Sequence, residues 1–124
     1  MLYSWTPIQG YSKFGHYEGN GNADGTFVYT GFRPAWVMTK SVDSTSSWHV
    51  FDNKRLGANP LDNIIWPDVS TAEDDGTARY DFLSNGFKCV NGDGSAFNTS
   101  GSTYIYAAFA EAPLVNSNGV PCNA

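Results

Sequence analysis

The run Thr103-Tyr104-Ile105-Tyr106-Ala107-Ala108-Phe109-Ala110 constrains this chain more than any other stretch. It is the longest apolar run in the sequence, lies between Gly101 and Pro113, and contains no Gly, Pro or charge. Thr, Tyr and Ile favour extended backbone, so the run is expected to be a strand near the middle of a sheet. Alternation puts Tyr104, Tyr106, Ala108 and Ala110 on one face and Thr103, Ile105, Ala107 and Phe109 on the other. Neither face is strongly polar, which suits a strand packed on one side and covered or half-covered on the other. A helix over 107–112 competes with this expectation. It is the weaker one, because aromatic and β-branched residues precede it and no cap signal opens it.

Shorter extended segments surround this strand. Residues 11–17, 26–29, 35–40, 48–52, 78–83 and 87–90 all carry strand-like alternation or β-favouring residues. Segments 35–40 and 48–52 are expected to pair antiparallel. Trp36, Met38 and Lys40 share one side of the first of these, and Trp36 is assigned to the core because it alternates within a strand. Asn85-Gly86, between two extended runs, is the strongest hairpin signal. Residues 53–77 are expected to be mainly connection, with Ile64-Ile65-Trp66 as a brief apolar strip stopped by Pro67. Ser70-Thr71-Ala72-Glu73 fits a capping box that opens one helical turn, cut short by Gly76. Residues 1–10 form a lead-in and residues 111–124 an extended surface tail. About seven short strands with Gly/Asn turns imply one all-β domain over 1–124, an antiparallel β-sandwich of jelly-roll or concanavalin-like type.

The charge excludes some partners. A net charge of −5 gives no basic footprint for nucleic acid. No apolar run is long enough to insert in a membrane, and the first residues lack the basic and apolar regions of a signal peptide. Charged residues make up 15% of the chain, so much of the surface must be Asn, Ser, Thr, Gly and Tyr. Cys89 and Cys122 are by default separate thiols, with a disulfide between them as the alternative; two cysteines alone make no metal site.

Four tryptophans and seven tyrosines are an unusual aromatic load for this length. Aromatic rings beside amides and carboxylates bind sugars, the ring stacking on C–H faces while polar groups bond hydroxyls. Trp48 begins a strand after a polar turn and Trp66 precedes Pro67, so both are expected to be exposed. With Asn53, Asn91 and Asp93 they are the candidate ligand-binding residues. Core packing and subunit contact compete equally for these rings. In Glu73-Asp74-Asp75-Gly76, Asp74 and Asp75 are the candidate ligands for Ca²⁺, although no EF-hand spacing is present and such loops also satisfy their own backbone. No cofactor is required. His16 and Glu18 can share a face, but no nucleophile elbow, metal-binding His pair or phosphate loop is present, so no enzyme is expected. Asn98-Thr99-Ser100 fits a glycosylation acceptor without a secretory signal to support it.

Taken together, four strings resemble a known domain: Tyr11-Ser12-Lys13-Phe14-Gly15, the segment from Gly25-Thr26-Phe27 to Trp36-Val37-Met38, Asp81-Phe82-Leu83-Ser84-Asn85-Gly86-Phe87-Lys88, and the segment from Thr103 to Pro113. The resemblance is to the C-terminal or near-C-terminal module of tail-fibre and other virion-surface proteins of tailed phages, especially marine ones, related to concanavalin-like or LamG-like sandwiches. It implies a virion location, contact with other virion proteins, a homotrimer as in most fibres, and recognition of a host cell-surface glycan. The alternative it leaves open is a purely structural module such as a fibre cap, adaptor or capsid decoration. It supplies no binding residues, and Cys89 and Cys122 depart from its usual pattern. Because such proteins are often longer, the chain is expected to be either a fragment or a small free-standing virion protein.

Overall fold

A computed structural model describes residues 1–55, 59–92, 96–112 and 118. Its strands are β1 (Ser12–Glu18), β2 (Phe27–Tyr29), β3 (Pro34–Ser41), β4 (His49–Asp52), β5 (Tyr80–Leu83), β6 (Gly86–Cys89) and β7 (Thr103–Ala110). They form two antiparallel sheets, ordered β1-β7-β3-β4 and β2-β6-β5, with no helix among the described residues. The chain is an all-β sandwich.

The 103–110 run is an inner strand of the larger sheet, paired along its length with β1 and β3. Its two faces divide as alternation requires: Tyr104, Tyr106 and Ala108 are buried against the second sheet, while Ile105 is exposed. Tyr104 stacks on Tyr17 of β1 at 5.1 Å between ring centres. Tyr80 of β5 is fully buried, and the rings of Phe51, Phe87 and Phe97 meet it near-perpendicular at 4.7, 5.4 and 5.9 Å. Edge-to-face pairs of this kind contribute about 0.5–1.5 kcal/mol each beyond area burial. The core is therefore an aromatic lattice spanning both sheets.

The β5–β6 hairpin forms where Asn85-Gly86 placed it, but for a different reason. The loop residues are Ser84 and Asn85, and Gly86 pairs with Leu83 inside the strands. Gly86 does not have positive φ; a Cβ there would stand 2.0 Å from the Val28 carbonyl oxygen of β2. Close approach of two strands, not turn geometry, demands this glycine.

The 53–77 segment does more than connect. Val50 and Ile65 exchange backbone hydrogen bonds of 2.9 and 3.2 Å, which extends the larger sheet beyond β4. Leu61 donates to Tyr80 O at 2.7 Å and accepts from Arg79 N at 2.9 Å, which extends the smaller sheet beyond β5. The Asn59 amide completes this edge, accepting from Phe82 N at 3.0 Å and donating to Phe82 O at 2.9 Å. One segment thus covers an edge of both sheets. The capping box at Ser70 opens no helical turn. Glu73 instead accepts from Arg55 and Asn63, each at 2.6 Å, and those bonds replace the reach back to Ser70.

Asn98 is fully buried and ties two loops together. Its Nδ2 donates to Asn20 Oδ1, Asn22 O and Asn91 O at 2.8–3.2 Å, and its Oδ1 accepts from Asn20 N at 3.0 Å. The acceptor nitrogen of the glycosylation pattern is therefore engaged inside the fold. Cys89 is a buried free thiol, pushed up to about 12 by burial despite its hydrogen bond with Tyr17. Cys122, Asp93 and positions 113–117 and 119–124 of the expected tail lie outside the described residues.

Candidate functional site

The feature that stands out chemically is the outer face of the four-stranded sheet. Pairing aligns Phe14, Ala107, Met38 and Val50 in one row across it, with Phe109 opposite Trp36 in the adjacent row. The rings pack into a continuous surface. Phe109 meets Phe14 at 5.9 Å, Trp36 at 5.5 Å and Tyr11 at 5.9 Å, and Trp5 of the lead-in lies 5.9 Å from Phe14. Between them, with Trp48 and Ile105, is an open hollow of about 260 Å³. Its lining contains no carboxylate, amide or cationic side chain.

Trp36 belongs to this outer face and not to the core. Alternation correctly put Trp36, Met38 and Lys40 on one side of β3, but the buried side is that of Val37 and Thr39. The signal was present in Lys40, a charged residue on the same side as Trp36. Trp5 joins the lead-in to this surface, and Met1, Leu2, Tyr3, Ile8 and the adjoining Tyr11 are exposed as well.

Among the candidate ligand-binding residues, Trp48 lines the hollow and is half-buried, its backbone N–H donating to Asp68 at 3.2 Å. Trp66 is half-buried rather than exposed, because it packs against the core beside His49, 6.3 Å between rings. Asn53 donates to Glu111 at 2.8 Å, and its Oδ1 is buried with no hydrogen-bond partner among the described residues. Asn91 donates to Ala78 O at 3.3 Å and accepts from Asn98 through its backbone. Neither amide lines the aromatic hollow. Asp74 accepts from Gly76 N at 3.2 Å, and Asp75 is exposed beside it. No group of three or more His, Cys, Asp or Glu able to hold a metal ion occurs among the described residues.

Charge elsewhere is used to brace loops. Arg55 pairs with Asp52 at 2.7 Å and Glu73 at 2.6 Å, and donates to the carbonyls of Val50 and Asn63. Partial burial raises the pKa of Asp52, but hydrogen bonds from Arg55 and from the Lys54 and Arg55 amides outweigh it and hold the carboxyl below its ordinary value. His49 is buried, and that burial depresses its pKa to about 4 against the attraction of Asp68.

Fold and site together define a small β-sandwich with an aromatic outer face. Over residues 1–113 the chain matches the family described as a domain of unknown function, DUF7483, and it belongs to that family. No curated protein and no solved structure matches it.

Proposed function

We propose that this domain is a structural module of a phage virion surface, assembled by packing the aromatic face of its larger sheet against a sister copy in a fibre. The observation that carries this is the apolar hollow, together with six exposed apolar residues, five in the lead-in and the adjoining Tyr11. Monomeric proteins seldom leave so continuous an apolar patch in water. The same chain offers both a hollow and an apolar strap, so copies related by rotation can each supply one to the other. The virion location rests on the four strings that resemble phage fibre modules. A glycan centred on Trp48 fits this hollow less well, since the largely apolar wall offers few polar groups, the Tyr106 hydroxyl and the indole N–H groups, for the hydroxyls that would lose water there.

Light scattering after size exclusion tests the proposal. The wild-type protein is expected to run as a defined oligomer, and Trp36→Ala and Phe109→Ala to run as folded monomers with unchanged far-ultraviolet circular dichroism. A wild type that stays monomeric at its highest soluble concentration overturns it.

A further inference from the structure

A second hollow has the opposite chemistry. It measures about 570 Å³ and lies where the lead-in, the start of β1 and the end of β2 meet, lined by Gln9, Gly10, Ser12, Lys13, Tyr29 and Gly31. Two glycines with positive φ shape it, Gly10 at 72° and Gly31 at 83°. The Tyr29 ring lies beside Gly31, its hydroxyl in ordinary contact range, 3.5 Å from where a Cβ would stand. Tyr29 therefore lies along the turn with its side chain exposed.

Lys13 is the unusual member. Of the seven Lys and Arg in the chain, Arg33, Arg55 and Lys88 are paired with carboxylates. Lys40 donates to the carbonyls of Ser41 and Ser44, and Arg79 lies over the Phe97 ring. Lys54 is exposed to water. Lys13 is half-buried in the polar hollow and makes no ion pair among the described residues. An ammonium lining a hollow without a counter-ion is stabilised by an anion brought to it.

We propose that this hollow binds an acidic sugar, its carboxylate on the Lys13 ammonium and a C–H face against Tyr29. The Gln9 amide also lines the hollow and can bond ring hydroxyls, which a bare carboxylate would leave unused. The site shares no lining residue with the aromatic hollow, so it does not depend on the assembly proposal.

Glucuronate is the probe, with glucose and acetate as controls, in an amide-correlation NMR titration of the whole protein. Saturable shifts at Gly10, Lys13 and Gly31 are expected with glucuronate, and weaker ones with either control. Lys13→Gln is expected to weaken glucuronate binding about tenfold, the worth of one charge-assisted hydrogen bond, while the rest of its spectrum is unchanged. Tyr29→Ala is expected to weaken it as well, and Trp36→Ala to leave it intact in whatever oligomeric state that variant adopts. No shift with glucuronate, or equal binding by Lys13→Gln, overturns the site. Acetate binding as tightly as glucuronate overturns the sugar assignment.

Discussion

The hydroxyls of Tyr17 and Tyr80 meet at 2.7 Å, joining β1 of one sheet to β5 of the other at the centre of the core. Tyr17 also donates to the Phe97 carbonyl at 2.8 Å, and Tyr80 donates to Thr39 Oγ1 at 3.4 Å. Tyr17→Phe leaves Phe97 O only the 3.8 Å bond from the Cys89 thiol and Tyr80 only the 3.4 Å bond to Thr39, and is expected to cost about 1–3 kcal/mol. Tyr80→Phe leaves Tyr17 its bond to Phe97 and is expected to cost less. Urea denaturation of the two variants measures this, and an equal loss contradicts the ranking.

The same cluster makes the fold sensitive to alkali. Burial, followed by the charges of neighbouring groups, raises both phenols above their ordinary value, and burial raises the Cys89 thiol from 9.0 to about 12. A raised folded pKa means the folded state holds its protons longer than the unfolded chain. Stability is then full below about pH 9 and falls as pH rises through the thiol and phenol range. Cys89→Ala is expected to delay the onset of that fall by about one pH unit, the gap between an unfolded thiol and an unfolded phenol. Melting temperatures recorded from pH 8 to 11 check it; an identical onset in both proteins removes the thiol from the account.

Acid acts through His49. Its folded pKa of about 4 lies below the ordinary 6.5, so the unfolded chain binds more protons between these values. Stability is present above pH 6.5 and is lost as pH falls toward 4, by up to about 3 kcal/mol. His49→Leu is expected to flatten that slope. Denaturation midpoints at pH 7 and pH 4.5 test it, and an unchanged slope would assign the acid sensitivity to carboxylates.

Trp48 and Trp66 are expected to separate. Trp66 packs on the core, so Trp66→Ala should destabilise the fold by about 2 kcal/mol, less than the loss for a fully buried ring. Trp48 lines the open hollow, and Trp48→Ala should weaken self-association while changing stability by less than about 1 kcal/mol. Thermal melts and light scattering on both variants read the two effects, and a reversed order refutes the placement.

Gly86→Ala forces a Cβ to within 2.0 Å of the Val28 carbonyl oxygen, which is backbone and can yield only by moving β2. A loss above about 4 kcal/mol is expected, or no soluble fold. Gly101 has φ of 78° but nothing within 4 Å of its would-be Cβ. There Ala is expected to cost only about 1 kcal/mol, the strain of left-handed backbone alone. Comparable melts for the two variants would show that β2 and β6 are not packed this closely.

The strands were legible because each carries its own signal. β7 could be read, faces included, from eight residues, and the β3–β4 pair from two alternating runs and the polar turn between them. Which face of β3 is buried depends on what lies across from Val37, so Trp36 was placed in the core although Lys40 beside it pointed to solvent. Gly86 suggested a turn, whereas the constraint comes from β2, nearly sixty residues earlier in the chain. The bridges of Leu61 and Ile65 join positions far apart in sequence and leave no local period. For the site, the aromatic load was visible but its division between core and outer face was not. The polar hollow leaves no signal in the sequence, because Lys13, Gln9 and Tyr29 come together only when β1 and β2 are placed on different sheets.

The segment over residues 59–65 hydrogen-bonds to β4 of one sheet and β5 of the other, so both sheets are blocked on the same flank. Among the described residues the opposite flank ends on β1 and β2, where backbone groups remain for pairing with another chain. Among the described residues, growth by strand addition is therefore confined to that flank, where two edges, β1 and β2, are open to it. A head-to-tail array, which needs an open edge on both flanks, finds the β4 and β5 side already bridged by residues 59–65.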